Sequence, residues 1–344
     1  MTRLQRIVTR AAVPWLLGLG LFCLPAGGRE AKLAIAPQKV PEKTAEYRLL
    51  PAPASLAEGN ALPLYRQAAA APPSDTEVDQ IRQWGEMLIG QLPQQPAEAM
   101  LEKHMGALRC LAQAARCRDC QWPEGFPEDA GADRLDNCRK LALTVRLWAR
   151  LEIARGEYDG ALLALQTGFA MSRHLSQGPT LIHPLVAIAI HNLMCQEIEE
   201  LMQETDSPNL YFALAGLPRP FVDIDKAMAN EMAALRRIAD EAQRQQEEAQ
   251  NKPGYDRTRI MAKVVDADLA ALQCIEAIRA YTASHGGRLP NALSEITEVS
   301  VPPDPVSGKP FHYTRTGSAA VLESSIPPGG TEKHRSRYEI TIKN

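Results

Sequence analysis

The spacing of apolar residues constrains this chain more than any other feature. Met100, His104, Ala107, Leu108, Leu111 and Ala115 fall at three- and four-residue steps; Leu141, Thr144, Trp148 and Leu151 share a stripe, and Val264, Ala267, Ala271, Ile275 and Ile278 share another. A helix returns a side chain to the same face about every 3.6 residues, so each run reads as an amphipathic helix with one buried face. Breakers separate the runs: Pro72-Pro73, the loop from Arg118 to Gly131, Gly156, Gly178-Pro179 and Lys252-Pro253-Gly254. Proline removes a backbone donor and glycine accepts the left-handed cap, so both end helices. The expected helices run from a Ser74 cap to about Gln91, from Pro96 to about Cys117, and through the Leu141 stripe to Gly156. Four more follow: Glu157 to Ser176, Thr180 to about Glu204, one from Asp223 with a polar tail over Asp240 to Gln250, and a last long helix. An aromatic share of 5% also favours helix over sheet.

Residues 1–28 carry Arg3, Arg6 and Arg10 without an acidic residue, then an apolar run from Ala11 to Leu24, then Pro-Ala-Gly-Gly. This is the layout of a secretory signal peptide with a cut after Gly28. The apolar run is shorter than the ~20 residues of a spanning helix, and Pro14 interrupts it. The expected location is periplasmic or secreted, with retention as an N-terminal membrane tether as the alternative. The formal charge of −3 includes those arginines, so the remainder is more acidic and implies no nucleic-acid partner.

The expected organisation is a signal peptide over 1–28, an extended tether with one short helix over 29–74, a helical-hairpin domain over 75–286, and a small β module over 287–344. The fold class is mainly α: antiparallel helical hairpins, irregular and tetratricopeptide-like, with a small C-terminal antiparallel β module. Ala154, Gly156, Tyr158 and Ala161 stand where a tetratricopeptide unit places its turn and packing residues, although only one such unit is visible.

Near the C-terminus, Asp304, Pro305, Gly308, Pro310 and Tyr313 form the pattern Asp-Pro-x-x-Gly-x-Pro-x-x-Tyr after a long helix. Proline fixes φ at the turn and Gly308 permits a positive one. The segment resembles the head of type II secretion pseudopilins, which implies a helix followed by a small antiparallel sheet. The pilin-type N-terminal helix is absent, so pseudopilus assembly is not carried over. Nearly the whole chain resembles a set of exported, mainly helical bacterial proteins of unknown function. The matching marks are Gly59-Asn60-Ala61 with Leu64-Tyr65, Cys120-Gln121-Trp122, the run from Ala154 to Leu162, the Leu175-to-Ile190 segment and Gly308-Lys309-Pro310-Phe311-His312-Tyr313. That resemblance implies architecture and no activity.

Six cysteines follow the leader: Cys110, Cys117, Cys120, Cys138, Cys195 and Cys274. In an oxidising compartment an even set suggests disulfides. At ~1.5 Å per residue, Cys110 and Cys138 lie level on neighbouring helices, so the expected pairs are Cys110–Cys138 and Cys117–Cys120. Cys110–Cys120 with Cys117–Cys138 is the alternative, and zinc or redox use of these thiols competes with both. His191, Cys195 and Glu199 recur every four residues on one helix face, the only constellation suited to a metal or a Cys-His pair. A phosphate-binding glycine loop, a Gly-x-Ser-x-Gly elbow and a His-Glu-x-x-His helix do not occur. No catalytic, cofactor-binding or metal-ligating residue is assigned. The expectation is a non-enzymatic scaffold with an envelope protein partner; the alternative is an envelope enzyme or metal-binding protein using a helical cleft around His191, Cys195 and Glu199.

Overall fold

The computed structural model describes residues 27–42, 46–122, 132–238 and 241–343. Most of the expected signal peptide, and Pro123 and Pro127 of the central loop, lie outside those residues. Helix makes up 57% of the structure, in ten helices among the described residues, and a small, mostly antiparallel sheet stands beside them.

Five helices form the first half: α1 (Leu62–Ala68), α2 (Asp75–Gly85), α3 (Gln94–Lys103), α4 (Met105–Ala115) and α5 (Ala132–Arg155). Ser74 caps α2 as expected, its hydroxyl accepting from the Glu77 amide while the Glu77 carboxylate accepts from the Ser74 amide. The run expected as one helix to Cys117 is two, because the backbone at His104 leaves helical geometry between α3 and α4. Two short strands, β2 (Ala57–Asn60) and β3 (Cys117–Asp119), pair in parallel. Asn60 joins them to α1: its Oδ1 accepts from the amides of Leu62 at 3.1 Å and Gln121 at 2.9 Å.

The central stack is α5, α6 (Tyr158–Ser176) and α7 (Ile182–Met202), in mutual contact. Gly156, at φ +72°, makes the α5–α6 turn, and the Tyr158 hydroxyl donates to Thr205 O at 2.9 Å just past α7. A Cβ on Gly168 would overlap Met194, so the absent side chain sets how closely α6 and α7 approach. The pairing of α5 with α7 is ionic as well as apolar. Enclosed Glu197 accepts from Arg146 at 2.7 Å and Arg150 at 3.1 Å, residues one turn apart on α5. A buried charge is tolerated only where such partners replace water, so this cluster fixes the register of the two helices.

After α8 (Tyr211–Ala215), α9 (Asp225–Ile238) and α10 (Glu241–Ser284) complete the helices. The expected stop at Lys252-Pro253-Gly254 does not occur, because α10 continues through Pro253. Pro253 is exposed, so water can satisfy the carbonyl its ring frees. Two residues on, Tyr255 is buried against α9 and its hydroxyl donates to Glu231 at 3.4 Å, pinning the helix beyond the proline.

The sheet has the order β1-β6-β5-β4, from β1 (Glu30–Ile35), β4 (His312–Thr316), β5 (Ala319–Glu323) and β6 (Arg337–Ile342). Strands β4, β5 and β6 are antiparallel, whereas β1 runs parallel to β6 with Glu30 opposite Arg337 and Ile35 opposite Ile342. Residues 30–35, expected in an extended tether, are therefore a sheet strand with Leu33 and Ile35 buried. The module expected over 287–344 takes its fourth strand from the other end of the chain. Leu322, Tyr338 and Ile340 join one continuous core with the helices.

Candidate functional site

The Asp304 motif is an internal brace. The Asp304 side chain, 1% exposed, accepts from the Val306 amide at 2.9 Å, the Ser307 hydroxyl at 3.1 Å and the Ser325 amide at 2.8 Å. Gly308 adopts φ +68° and its amide donates to Asp304 O, while the Tyr313 hydroxyl donates to Pro290 O at 2.9 Å. Pro305 and Pro310 flank this loop, which ties the end of β5 to the turn and keeps the carboxylate buried.

Neither expected cysteine pair is bonded; all six described cysteines are free thiols. The chain leaves α4 at Ala115 and enters β3, so Cys117 lies in a strand, not at a helix end. Cys120 then turns inward and is buried within electrostatic range of Cys138 and Cys117. Burial pushes the Cys120 and Cys138 thiols up to about 12. Protonated thiols are poor nucleophiles and poor ligands. Among the described residues no three His, Cys, Asp or Glu side chains gather as a metal site.

His191, Cys195 and Glu199 do share a face of α7, and that face is interior. His191 and Cys195 are fully buried, with Cys195 Sγ 3.2 Å from His191 Nε2. Phe169 and Phe221 pack on the imidazole. Burial lowers His191 to about 3 and raises Cys195 well above an ordinary thiol, the reverse of a thiolate–imidazolium pair. Glu199 turns instead to Arg29, in a bidentate pair with both N–O distances 2.5 Å.

A different surface offers room for a ligand. A cleft of about 500 Å³ opens between the segment around residues 47–56, the start of β3, the end of α6 and α8. Leu50, Leu56, Phe212 and Pro218 supply apolar walls, and Arg48, Arg118 and Arg173 supply cationic ones. Leu49 is buried and Gln166 donates to Arg48 O at 3.4 Å, which holds the first wall against α6. Arg118 has Glu58 3.7 Å away, both largely exposed. Arg173 is half-buried and pairs with no carboxylate among the described residues; burial lowers its affinity for the proton. Beside it His174, pushed down to about 4 by burial and then by Arg173, is neutral; its Nδ1 lies 2.8 Å from the Tyr65 hydroxyl. Trp122 donates to His174 O at 3.0 Å.

None of the cleft arginines is distinguished in the sequence, because the wall comes from a segment that looked like linker and from the last turns of α6. Among the described residues no helix is long and apolar enough to cross a membrane. Comparison with protein-family models, curated proteins and solved structures finds no match for this chain.

Proposed function

We propose that this chain is an exported, non-enzymatic scaffold of the cell envelope that binds a partner protein in the cleft beside α6. Its irregular hairpins, with the tetratricopeptide-like turn at Gly156 and Tyr158, hold the cleft rigid, as such helix stacks do when they present a groove. One observation carries the reading: Arg173 is half-buried in the wall of a cleft of mixed apolar and cationic lining, with no carboxylate partner among the described residues. A partly desolvated guanidinium favours a carboxylate that brings two parallel acceptors, and the leucine, phenylalanine and proline walls favour apolar side chains on either side of it. The occupant that fits is an extended protein segment with an acidic residue between apolar ones.

Photo-crosslinking from a benzoylphenylalanine placed at Leu56 or Phe212 of the full chain, expressed in its envelope, tests the reading. A light-dependent adduct with a protein is expected at both positions, and Arg173→Glu should abolish it at unchanged melting temperature. Absence of an adduct at both positions, or an adduct indifferent to Arg173→Glu, overturns it. Point variants are the right tool, since deleting residues 287–344 would strip β6 from β1.

A further inference from the structure

The interior end of β1 holds two carboxylates and one cation. Asp268 of α10 is 1% exposed, and its carboxylate accepts from the Ser336 hydroxyl and from the Arg29 backbone amide. Glu199 of α7 takes the Arg29 guanidinium. The remaining titratable neighbours carry no charge that balances Asp268. His191 is held neutral, the Cys195 thiol and Tyr338 phenol are raised by burial, and Arg219 turns its guanidinium to Asp266 O at 2.5 Å. Desolvation first, then the neighbouring Glu199 charge, pushes Asp268 up to about 7 against the pull of Arg29. The Tyr338 hydroxyl is buried here without a hydrogen-bond partner.

The nitrogen facing this surplus acceptor is that of residue 29. It lies 3.4 Å from Ser336 Oγ, and the Arg29 carbonyl is clamped by the Arg337 amide at 2.6 Å, so the nitrogen would stay in place if the chain before it were removed. Gly27 and Gly28 thread against residues 333–336 so closely that a Cβ on either would overlap that backbone. We propose that hydrolysis of the Gly28–Arg29 bond creates an α-ammonium at Arg29 that forms a buried ion pair with Asp268. The cut, made by an export endopeptidase, consumes one water. The C–N bond breaks, the carboxylate stays with Gly28, and the freed amine takes up a proton, as an α-amine of ordinary pKa near 8 does at neutral pH. Two cations then face two carboxylates, with Ser336 Oγ and the orphaned Tyr338 oxygen available to the remaining protons. Cleavage thereby completes the core instead of merely releasing the chain.

The test uses the full chain with its own leader, expressed in a bacterial envelope and purified folded. N-terminal sequencing and intact mass should give Arg29 as the first residue; a retained leader or a different first residue overturns the proposal. Reductive dimethylation of the native protein at pH 7.5, read by peptide mass spectrometry, should label Lys32, which is 83% exposed, at least tenfold faster than the Arg29 α-amine. After denaturation the order should reverse, because at pH 7.5 an α-amine of ordinary pKa near 8 is far more deprotonated than a lysine near 10.4. Native-state labelling of the α-amine as fast as Lys32 or faster overturns the ion pair. In Asp268→Asn the α-amine should gain reactivity tenfold or more; a folded variant that keeps it protected overturns Asp268 as the partner. Should that variant not fold, the wild-type comparison with Lys32 decides.

Discussion

Arg279 and Glu276 lie one turn apart on α10, Nη1 3.0 Å from Oε2, and neither side chain reaches solvent. Arg279 also donates to Ala36 O at 2.8 Å and Ser207 Oγ at 2.9 Å, while Glu276 accepts from the Leu210 amide at 2.9 Å. The pair thus holds the end of β1 and the 207–210 connection to α10. Arg279→Met strands a carboxylate in the interior and should cost about 3–5 kcal/mol. Arg335→Met, which loses the partly exposed pair with Glu332, should cost less than about 1 kcal/mol. Urea denaturation of both variants measures the contrast.

Asp304→Ala leaves three donors without their acceptor and should destabilise by about 2 kcal/mol or more. Gly308→Ala forces a side chain into left-handed geometry and should cost about 1–2 kcal/mol. Both act on one loop, so the double variant should lose less than the two losses added together. Hydrogen exchange should show faster opening at Val306 and Ser325.

Gly168→Ala inserts a methyl where α6 meets Met194 and should cost about 1–3 kcal/mol through overpacking. Gly106→Ala meets nothing within 4 Å and should be neutral or stabilise α4 by up to about 1 kcal/mol. Thermal melts of the pair distinguish close approach from simple loss of glycine.

His183 is 2% exposed, and burial pushes it down to about 4, against a smaller opposing effect of Thr180. Its folded value lies below its unfolded value near 6.5, so between these limits the unfolded chain binds the extra proton and stability falls with falling pH. The stability advantage of the wild type over His183→Gln should therefore shrink as pH drops from 6.5 to 4, by about 1 kcal/mol per pH unit, and stay constant above 7. Parallel urea midpoints at pH 7.5, 6 and 5 measure it; a pH-independent difference would show that His183 is not the titrating group.

The sequence makes the helices legible because a 3.6-residue stripe and its breakers are local signals. Ser74, Gly156 and Gly308 act where local chemistry places them. Pro253 misleads for a reason outside its neighbourhood: Tyr255 and Glu231 anchor α10 beyond it. Strand β1 is invisible for the same reason, since Leu33 and Ile35 alternate over too few residues, and their partner strand lies some 300 residues away. Within the interior site, the α7 stripe gave Glu199 its place, but its partner Arg29 sat in apparent linker. Asp268, Ser336 and Tyr338 are single residues on separate elements, with no spacing to announce them. The cleft was hidden likewise: Arg173 gains meaning only from the wall that residues 47–56 build opposite it.

The parallel pairing of β1 with β6 has a consequence for how this molecule is made. Residues 30–35 are synthesised some 300 residues before residues 337–342, so β1 waits for its neighbour while every helix between them is made. Long-range closure of this kind is slow, because chain entropy is surrendered before any contact compensates it. Until then the edge of β1 and the buried charges behind it stay open to water, and a chain interrupted before β6 cannot close over them.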